Sequence, residues 1–320
     1  MRIVLVSPNL IPLPGSGGIE RVVYNLSDEL VNRGHEVYVY AQHDSNSRAM
    51  IIPYGYRGFK KNNIKEFVLE TLPDGIDIIH DHTHDLVIGR EKLAIPTIST
   101  IHTEFGLNFS VKCPVYVSQT KLKQSTNKHI GAYVHNGIDV QSFTYSEVKD
   151  NYLLFLGRID QGKGVEDVIQ LGKQTGMQTV LAGPEWDKEL YRKMVSQISE
   201  APNIKYVGEV HGKAKQDLLK NAKWLVFPIE NEEQFGLVLI EALACGTPVA
   251  AYNKGAVPEI LQGLPMFVCR DLHHMKQLVL GDSPVKPKDL RSYVVDRFTK
   301  EKMTDSYLKL YQRAMHGWKQ

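Results

Sequence analysis

Short apolar runs recur along the chain, each ending in a loop of glycine or polar residues and followed by a helical pattern. No other feature restricts the fold as tightly. In the second half such runs lie at 152–156, 180–184, 204–207 and 224–228. Four strand–helix units in a row predict a parallel sheet covered on both faces. The first half opens the same way. Residues 2–7 read as a strand, and a helix from Ile19 places Ile19, Val22, Val23, Leu26 and Leu30 on one face, with Gly34 as its stop. A strand at 37–41 completes a βαβ unit, and further strands are expected at 76–79, 97–101 and 114–118. Residues 49–72 give a weaker signal, with a short helix over 63–72 and a solvated turn at Lys60-Lys61.

A length of 320 residues suggests two domains, and 42% apolar content is enough for two cores. The polar stretch 144–150 (TYSEVKD) reads as a linker. It separates a Rossmann-like domain at 1–143 from a second domain at 151–301, with a C-terminal helix at 302–320 that packs back on the first. A formal net charge of +2 gives no polyelectrolyte basis for binding nucleic acid. Residues 1–143 hold 14 Lys+Arg and 14 Asp+Glu, a balance that argues for weak peripheral membrane contact at most. No apolar run approaches the ~18–20 residues needed to span a bilayer, and the N-terminal stretch reads as a core strand rather than a signal peptide. Cys113, Cys245 and Cys269 are widely spaced and fit reduced thiols in a cytoplasmic protein.

The densest chemistry lies at 230–261, ENEEQFGLVLIEALACGTPVAAYNKGAVPEIL. Residues 236–245 are almost all apolar and are closed by Gly246 and Pro248, which predicts a helix buried on most sides and then a short strand at 249–251. Glu241 sits inside that helix, and a buried carboxylate is costly unless something pairs with it. A core glutamate held by backbone or arginine is the bland reading. The backbone amides of Phe235, Gly236, Leu237 and Val238 also make an anion site at the helix start, aided by the helix dipole. Phosphate at that end and a hydroxyl-rich group on Glu241 would together describe a sugar nucleotide.

Glu233 and Glu241 form E-x₇-E within E-Q-F-G-L-V-L-I-E-A-L-A-C-G-T-P-V, and the pattern continues through Lys254-Gly255-Ala256-Val257-Pro258-Glu259. This resembles the donor-site signature of the family 4 retaining glycosyltransferases, with their GT-B fold. Gln234 stands where the family often has glycine, and Ala256 replaces the second glycine of a common pair. The resemblance implies an α/β architecture of two Rossmann-like domains facing across a cleft, with parallel sheets flanked by helices. The chain is short for the family and is similar to its compact bacterial members, including some that decorate small natural products.

Other stretches extend the resemblance. Gly157-Arg158-Ile159-Asp160-Gln161-Gly162-Lys163-Gly164 follows a strand and precedes a helix. Arg158 can bind two phosphate oxygens with its fork, and Lys163 adds a compact charge. By itself such a loop could be plain surface; beside E-x₇-E it matches the family's diphosphate clamp. The loop Gly15-Ser16-Gly17-Gly18 lacks the G-x-G-x-x-G spacing of a nicotinamide fingerprint. The resemblance places Gly17 and Gly18 between donor phosphates and acceptor, and Glu20 toward the acceptor. Val210, in G-E-V-H-G, falls where the family seats the nucleotide base. T-I-H-T carries His102 at the position beside the transferred sugar, and Asn136-Gly137-Ile138-Asp139 resembles the turn that closes the first domain.

His80-Asp81-His82-Thr83-His84-Asp85 alternates histidines and so invites a metal site, since residues two apart on a strand share a face. No fourth ligand is suitably spaced, and the family needs no metal; His82 is instead the acceptor-side position. A strand-end histidine such as His102 is in general more often satisfied locally than catalytic, and Lys121, Lys123 and Lys128 read as surface. The implied reaction moves a hexose from a nucleoside-diphosphate sugar, UDP-sugar favoured, to an acceptor hydroxyl with retention and without metal or other cofactor. His102, Glu233, Arg158 and Lys163 would be catalytic, and Gly157 and Glu241 would join the donor site. The acceptor could be a sugar, a glycolipid or a small molecule. A catalytically inactive GT-B nucleotide-sugar-binding protein, a GT-B sugar-nucleotide epimerase, a sugar phosphorylase and a nicotinamide-dependent dehydrogenase stay open on the residues alone.

Overall fold

The computed structural model describes residues 1–12, 17–55, 64–104 and 109–318. Gly15, Ser16, Lys60 and Lys61, named above, lie outside them. The described chain forms two compact units. One runs to Ile138 and resumes at Thr299; the other spans Asp139–Phe298.

In the first unit, strands β1 (Arg2–Val6), β2 (Glu36–Gln42), β3 (Met50–Tyr54), β4 (Ile78–Asp81), β5 (Thr97–Ile101), β6 (Pro114–Tyr116) and β7 (Ala132–Tyr133) make one sheet. Its order is β3-β2-β1-β4-β5-β6-β7 and every pairing is parallel. The order reverses direction beside β1, whose Val4 registers with Tyr38 on one side and Ile79 on the other. Ile3, Val4, Leu5 and Val6 are fully buried, as a central parallel strand covered on both faces requires. Helix α1 (Gly18–Asn32) buries Val22, Val23, Leu26 and Leu30 on one stripe. Helices α2 (Ile64–Thr71) and α3 (Gln119–Gln124) are shorter. Ser118 caps α3 by accepting from the Lys121 amide.

The sequence pattern did not predict β3. Pro53 lies within it, and proline is tolerated because β3 is the sheet's edge, where one side needs no ladder bonds. Lys121 is another correction. It is 2% exposed, whereas Lys123 and Lys128 are exposed as expected.

The second unit repeats the plan. Strands β8 (Tyr152–Leu156), β9 (Gln178–Ala182), β10 (Ile204–Tyr206), β11 (Trp224–Phe227), β12 (Val249–Tyr252) and β13 (Val268–Cys269) follow the order β10-β9-β8-β11-β12-β13, all parallel. The helices are α4 (Val165–Thr175), α5 (Lys188–Ser199), α6 (Gly212–Asn221), α7 (Leu237–Ala244), α8 (Val257–Ile260), α9 (Leu272–Leu280) and α10 (Pro287–Val295). Both sheets are therefore doubly wound, and both place loops beyond the carboxyl ends of their strands at a switch point.

The 144–150 stretch, though largely exposed, is hydrogen-bonded onto the second unit rather than running free between two units. Lys149 Nζ donates to the carbonyls of Lys220 and Cys245 at 2.7 and 3.1 Å and to Thr247 Oγ1 at 2.9 Å. Arg291 donates to the carbonyls of Val140 and Phe143, both at 3.0 Å, and ties the preceding residues to the same unit. Helix α11 (Lys300–Met315) belongs to the first unit, where it packs on α1 and β5 and buries Met303, Tyr307, Tyr311 and Ala314. Cys113, Cys245 and Cys269 are buried free thiols.

Candidate functional site

In the second unit, four loops at the carboxyl ends of strands hold one another in place. The Gly157 and Ile159 amides donate to the carbonyls of Ala182 (3.0 Å) and Pro184 (2.9 Å), which seats the loop after β8 on the loop after β9. The Gly162 carbonyl accepts from the Glu230 and Asn231 amides at 2.9 and 3.2 Å, which seats it on the loop after β11. The Ala256 amide donates to the Glu233 carbonyl at 2.9 Å, adding the loop after β12. Gly164 enters α4 at φ +76°, where a Cβ would run into the Pro228 carbonyl. A side chain at that position would push two of these loops apart.

The charged groups gather on this frame. Lys163 Nζ stands 3.3 Å from Glu233 Oε2. The other Glu233 oxygen accepts from the Gln234 and Phe235 amides at 3.1 and 3.4 Å. Arg158 lies 3.3 Å from Asp160 and places its guanidinium 4.9 Å over the ring of Trp186, itself 64% exposed. Gly236, at φ +87°, turns the chain into α7. The half-buried Leu237 and Val238 open the first turn of that helix, and their amides precede its first internal acceptor, the Gly236 carbonyl bonded by Leu239 at 2.9 Å. Phe235 is buried edge-on against Phe298 at 5.9 Å and anchors the turn from below. Lys163 and a helix start therefore meet at the Glu233 carboxylate, and Arg158 lies on the same interlocked loops, a set of groups suited to an anionic, hydroxyl-bearing ligand.

Glu241 is 2% exposed on α7, and its partner is Lys215 Nζ at 2.7 Å, from α6. The sequence reading anticipated backbone or arginine in that place. No spacing rule distinguishes Lys215 from the other lysines of GKAKQDLLKN, so only the tertiary structure reveals it. Trp186 was also missed, although a tryptophan just past a strand-end glycine and proline was a usable signal. Val210 is half-buried and lines a cavity of about 590 Å³ with Val180, Val207, Ala214 and Leu218. Arg158, Lys163, Glu233 and Glu241 are not among that cavity's lining residues.

In the first unit, Gly17 and Gly18 begin α1, and Glu20 in its first turn is buried, accepting from Asn9 Nδ2 at 2.5 Å. The structure brings His82 and His102 together: His82 Nδ1 lies 2.9 Å from His102 Nε2. His80 is fully buried behind them, with Nδ1 2.8 Å from Tyr311 Oη and Nε2 2.7 Å from Thr100 Oγ1, which lies 3.0 Å from Tyr307 Oη. Burial pushes His80 and His82 well below the usual histidine range and His102 down to about 3, so all three rings are neutral at pH 7.

Strand β4 ends at Asp81, and His84 is exposed, so the alternating histidines do not share one face. Asp81 is spent on structure. Its carboxylate accepts from the Thr83 amide and hydroxyl and from the Ile88 and Gly89 amides, at 2.7–2.9 Å. Among the described residues, no group of three or more His, Cys, Asp or Glu is placed to hold a metal ion.

Residues 16–142 match the family described as Glycosyltransferase Family 4, and residues 140–263 match Glycosyl transferases group 1. A phosphatidyl-myo-inositol mannosyltransferase of Mycolicibacterium smegmatis is 24% identical over 314 residues, covering 82% of this chain and 78% of that protein. A glycosyltransferase of avilamycin A biosynthesis superposes with a TM-score of 0.81 at 22% identity, covering 99% of this chain and 98% of that one. The Anabaena protein HepE, solved in complex with UDP and glucose, gives a TM-score of 0.79 at 15% identity, covering 97% and 98%. With two doubly wound parallel units and both family matches in sequence, the chain belongs to the family 4 type of GT-B glycosyltransferases.

Proposed function

We propose that the protein transfers a hexose from a nucleoside-diphosphate sugar, UDP-sugar favoured, to an acceptor hydroxyl with retention at the anomeric carbon. The observation that carries this reading is the convergence of Arg158, Lys163, Glu233 and the start of α7 on one interlocked set of loops. The UDP complex of HepE supports the choice of base, and the named activity of the mannosyltransferase supports a hexose.

As the glycosidic bond breaks, negative charge grows on the leaving diphosphate. Arg158, Lys163 and the amides at Phe235–Val238 then bind it more tightly than in the ground state. No metal or resident cofactor is needed in this scheme. Lys163, held at Glu233, is poised to pass to phosphate while Glu233 takes sugar hydroxyls. Glu241 accepts from the ribose hydroxyls, and His102 bonds the transferred sugar. Gly17, Gly18, Gly157 and Val210 complete the donor surface, with Glu20 on the acceptor side and the fully buried His82 held against His102. A departing phosphate oxygen removes the acceptor proton on the same face. The acceptor is a sugar, glycolipid or small molecule, and the site of action is the cytoplasm. Among the described residues, no helix is long and apolar enough to cross a membrane.

Thermal unfolding with UDP, GDP, ADP and NAD, on the native chain and on Arg158→Ala, tests the donor half. At a hundredfold excess over Kd, a folded-state ligand adds about 2.7 kcal/mol of stability. UDP is expected to stabilise the native chain and to bind Arg158→Ala about 10- to 100-fold more weakly, the loss of a charge-assisted contact. Stabilisation by NAD alone, or by none of the four, overturns the proposal. Product anomer analysis with UDP-hexoses then tests retention.

A further inference from the structure

His82 is fully buried, with the His80 ring packed against it at 3.8 Å and the His102 ring edge-to-edge at 5.2 Å between centroids. Its Nδ1 meets His102 Nε2 at 2.9 Å, and its Nε2 has no hydrogen-bond partner among the described residues. Both rings are neutral, so each carries one N–H, and one hydrogen must lie between the facing nitrogens. Two arrangements satisfy that bond. If His102 Nε2–H donated, His82 would carry its own hydrogen on Nε2 as a buried donor with nothing to receive it. If His82 Nδ1–H donates, only a bare lone pair is left at Nε2. Orphaned buried N–H groups are rarer than under-satisfied acceptors, which selects the second arrangement.

From this geometry we infer that His82 is a positioning residue that fixes His102 as its Nδ1–H tautomer, leaving that N–H as the group offered to a sugar hydroxyl oxygen. The inference deepens the proposed sugar contact of His102 and rests on that reading for its functional part. His80 completes the device. Clamped by Tyr311 and Thr100, it backs the His82 ring and limits its rotation. His102 then acts as a neutral donor, which avoids placing a second positive charge beside a sugar ring that turns cationic in the transition state.

Long-range ¹H–¹⁵N correlation spectra of the native protein, labelled in histidine and free of substrate, read the tautomer directly. His102 is expected to show hydrogen on Nδ1; hydrogen on Nε2 overturns the inference. Two variants carry it to function. His82→Asn keeps an N–H near the Nδ1 position, and His82→Phe keeps the ring stack without the donor. Loss of the group that orients a functional histidine lowers activity about 10- to 100-fold. That fall is expected in kcat for His82→Phe, with KM for the sugar nucleotide little changed and with substantial rescue in His82→Asn. Native kcat in His82→Phe overturns the positioning role. If the native chain transfers no sugar, the functional reading fails, while the tautomer spectrum still decides the arrangement of the pair.

Discussion

Removing the ammonium from Lys215 tests how much of the second unit's stability rests on Glu241. The carboxylate is 3% exposed and the lysine side chain 15%, with 2.7 Å between charged atoms. The carboxylate sits on a helix whose Leu239, Ile240, Ala242, Leu243 and Ala244 are all buried, so little bulk water reaches it once the lysine is gone. Lys215→Met keeps the length of the apolar stem and deletes the charge. Breaking a fully buried pair costs roughly 3–5 kcal/mol, and the partial exposure of Lys215 lowers the expectation to about 2–4 kcal/mol. With urea slopes of about 1–3 kcal/mol/M, the midpoint should fall by about 1 M or more. Lys215→Met/Glu241→Leu removes both charges and is expected to recover part of the loss, with a coupling of about 1–3 kcal/mol. Lys213 on the same helix is a built-in control. It pairs with Asp217 at 2.6 Å but is 87% exposed, so Lys213→Met should cost less than about 0.5 kcal/mol. A Lys215→Met cost as small as that of Lys213→Met, or an additive double mutant, would refute the reasoning.

Two further outcomes follow from the geometry. Gly164→Ala must hold an L side chain at φ +76° against the Pro228 carbonyl, so a loss of about 2 kcal/mol or more is expected in urea unfolding, with weaker nucleotide binding as the clamp loop lifts. Acid should also destabilise the first unit. His80 and His82 bind protons only far below the ~6.5 of an unfolded histidine, so their stabilising effect is complete above that pH and is lost as pH falls. The slope is about 1.4 kcal/mol per pH unit for each ring. Unfolding between pH 7.5 and 5.5 checks this, and a flat profile contradicts the buried neutral cluster.

The strand and helix pattern was legible because each unit buries both faces of a parallel sheet, which leaves short, uninterrupted apolar runs. The pairing of the Lys163 loop with Glu233 was open to local reading because these residues sit beside the elements that position them: Arg158 and Lys163 follow β8, and Glu233 precedes α7. What escaped notice depends on distant partners. Lys215 meets Glu241 and His80 meets Tyr311, pairings that no local pattern encodes. Lys121 looked like surface because Lys123 and Lys128 follow it and suggest a solvated helix, yet it is buried. The polar stretch 144–150 looked like a connection because its composition does not reveal that Lys149 finds three acceptors.

The first unit is interrupted, and its two ends meet: the Lys300 amide donates to the Ile138 carbonyl at 2.9 Å, and Ile138 bridges Thr299 in parallel. During synthesis, residues 139–298 can therefore complete their sheet while the earlier unit still waits for α11. Until that helix emerges, Tyr307 and Tyr311 are missing from His80, and polar groups later sealed inside are open to water. The half of the molecule made first is thus finished last, because α11, the element that closes it, follows the whole of the second unit along the chain.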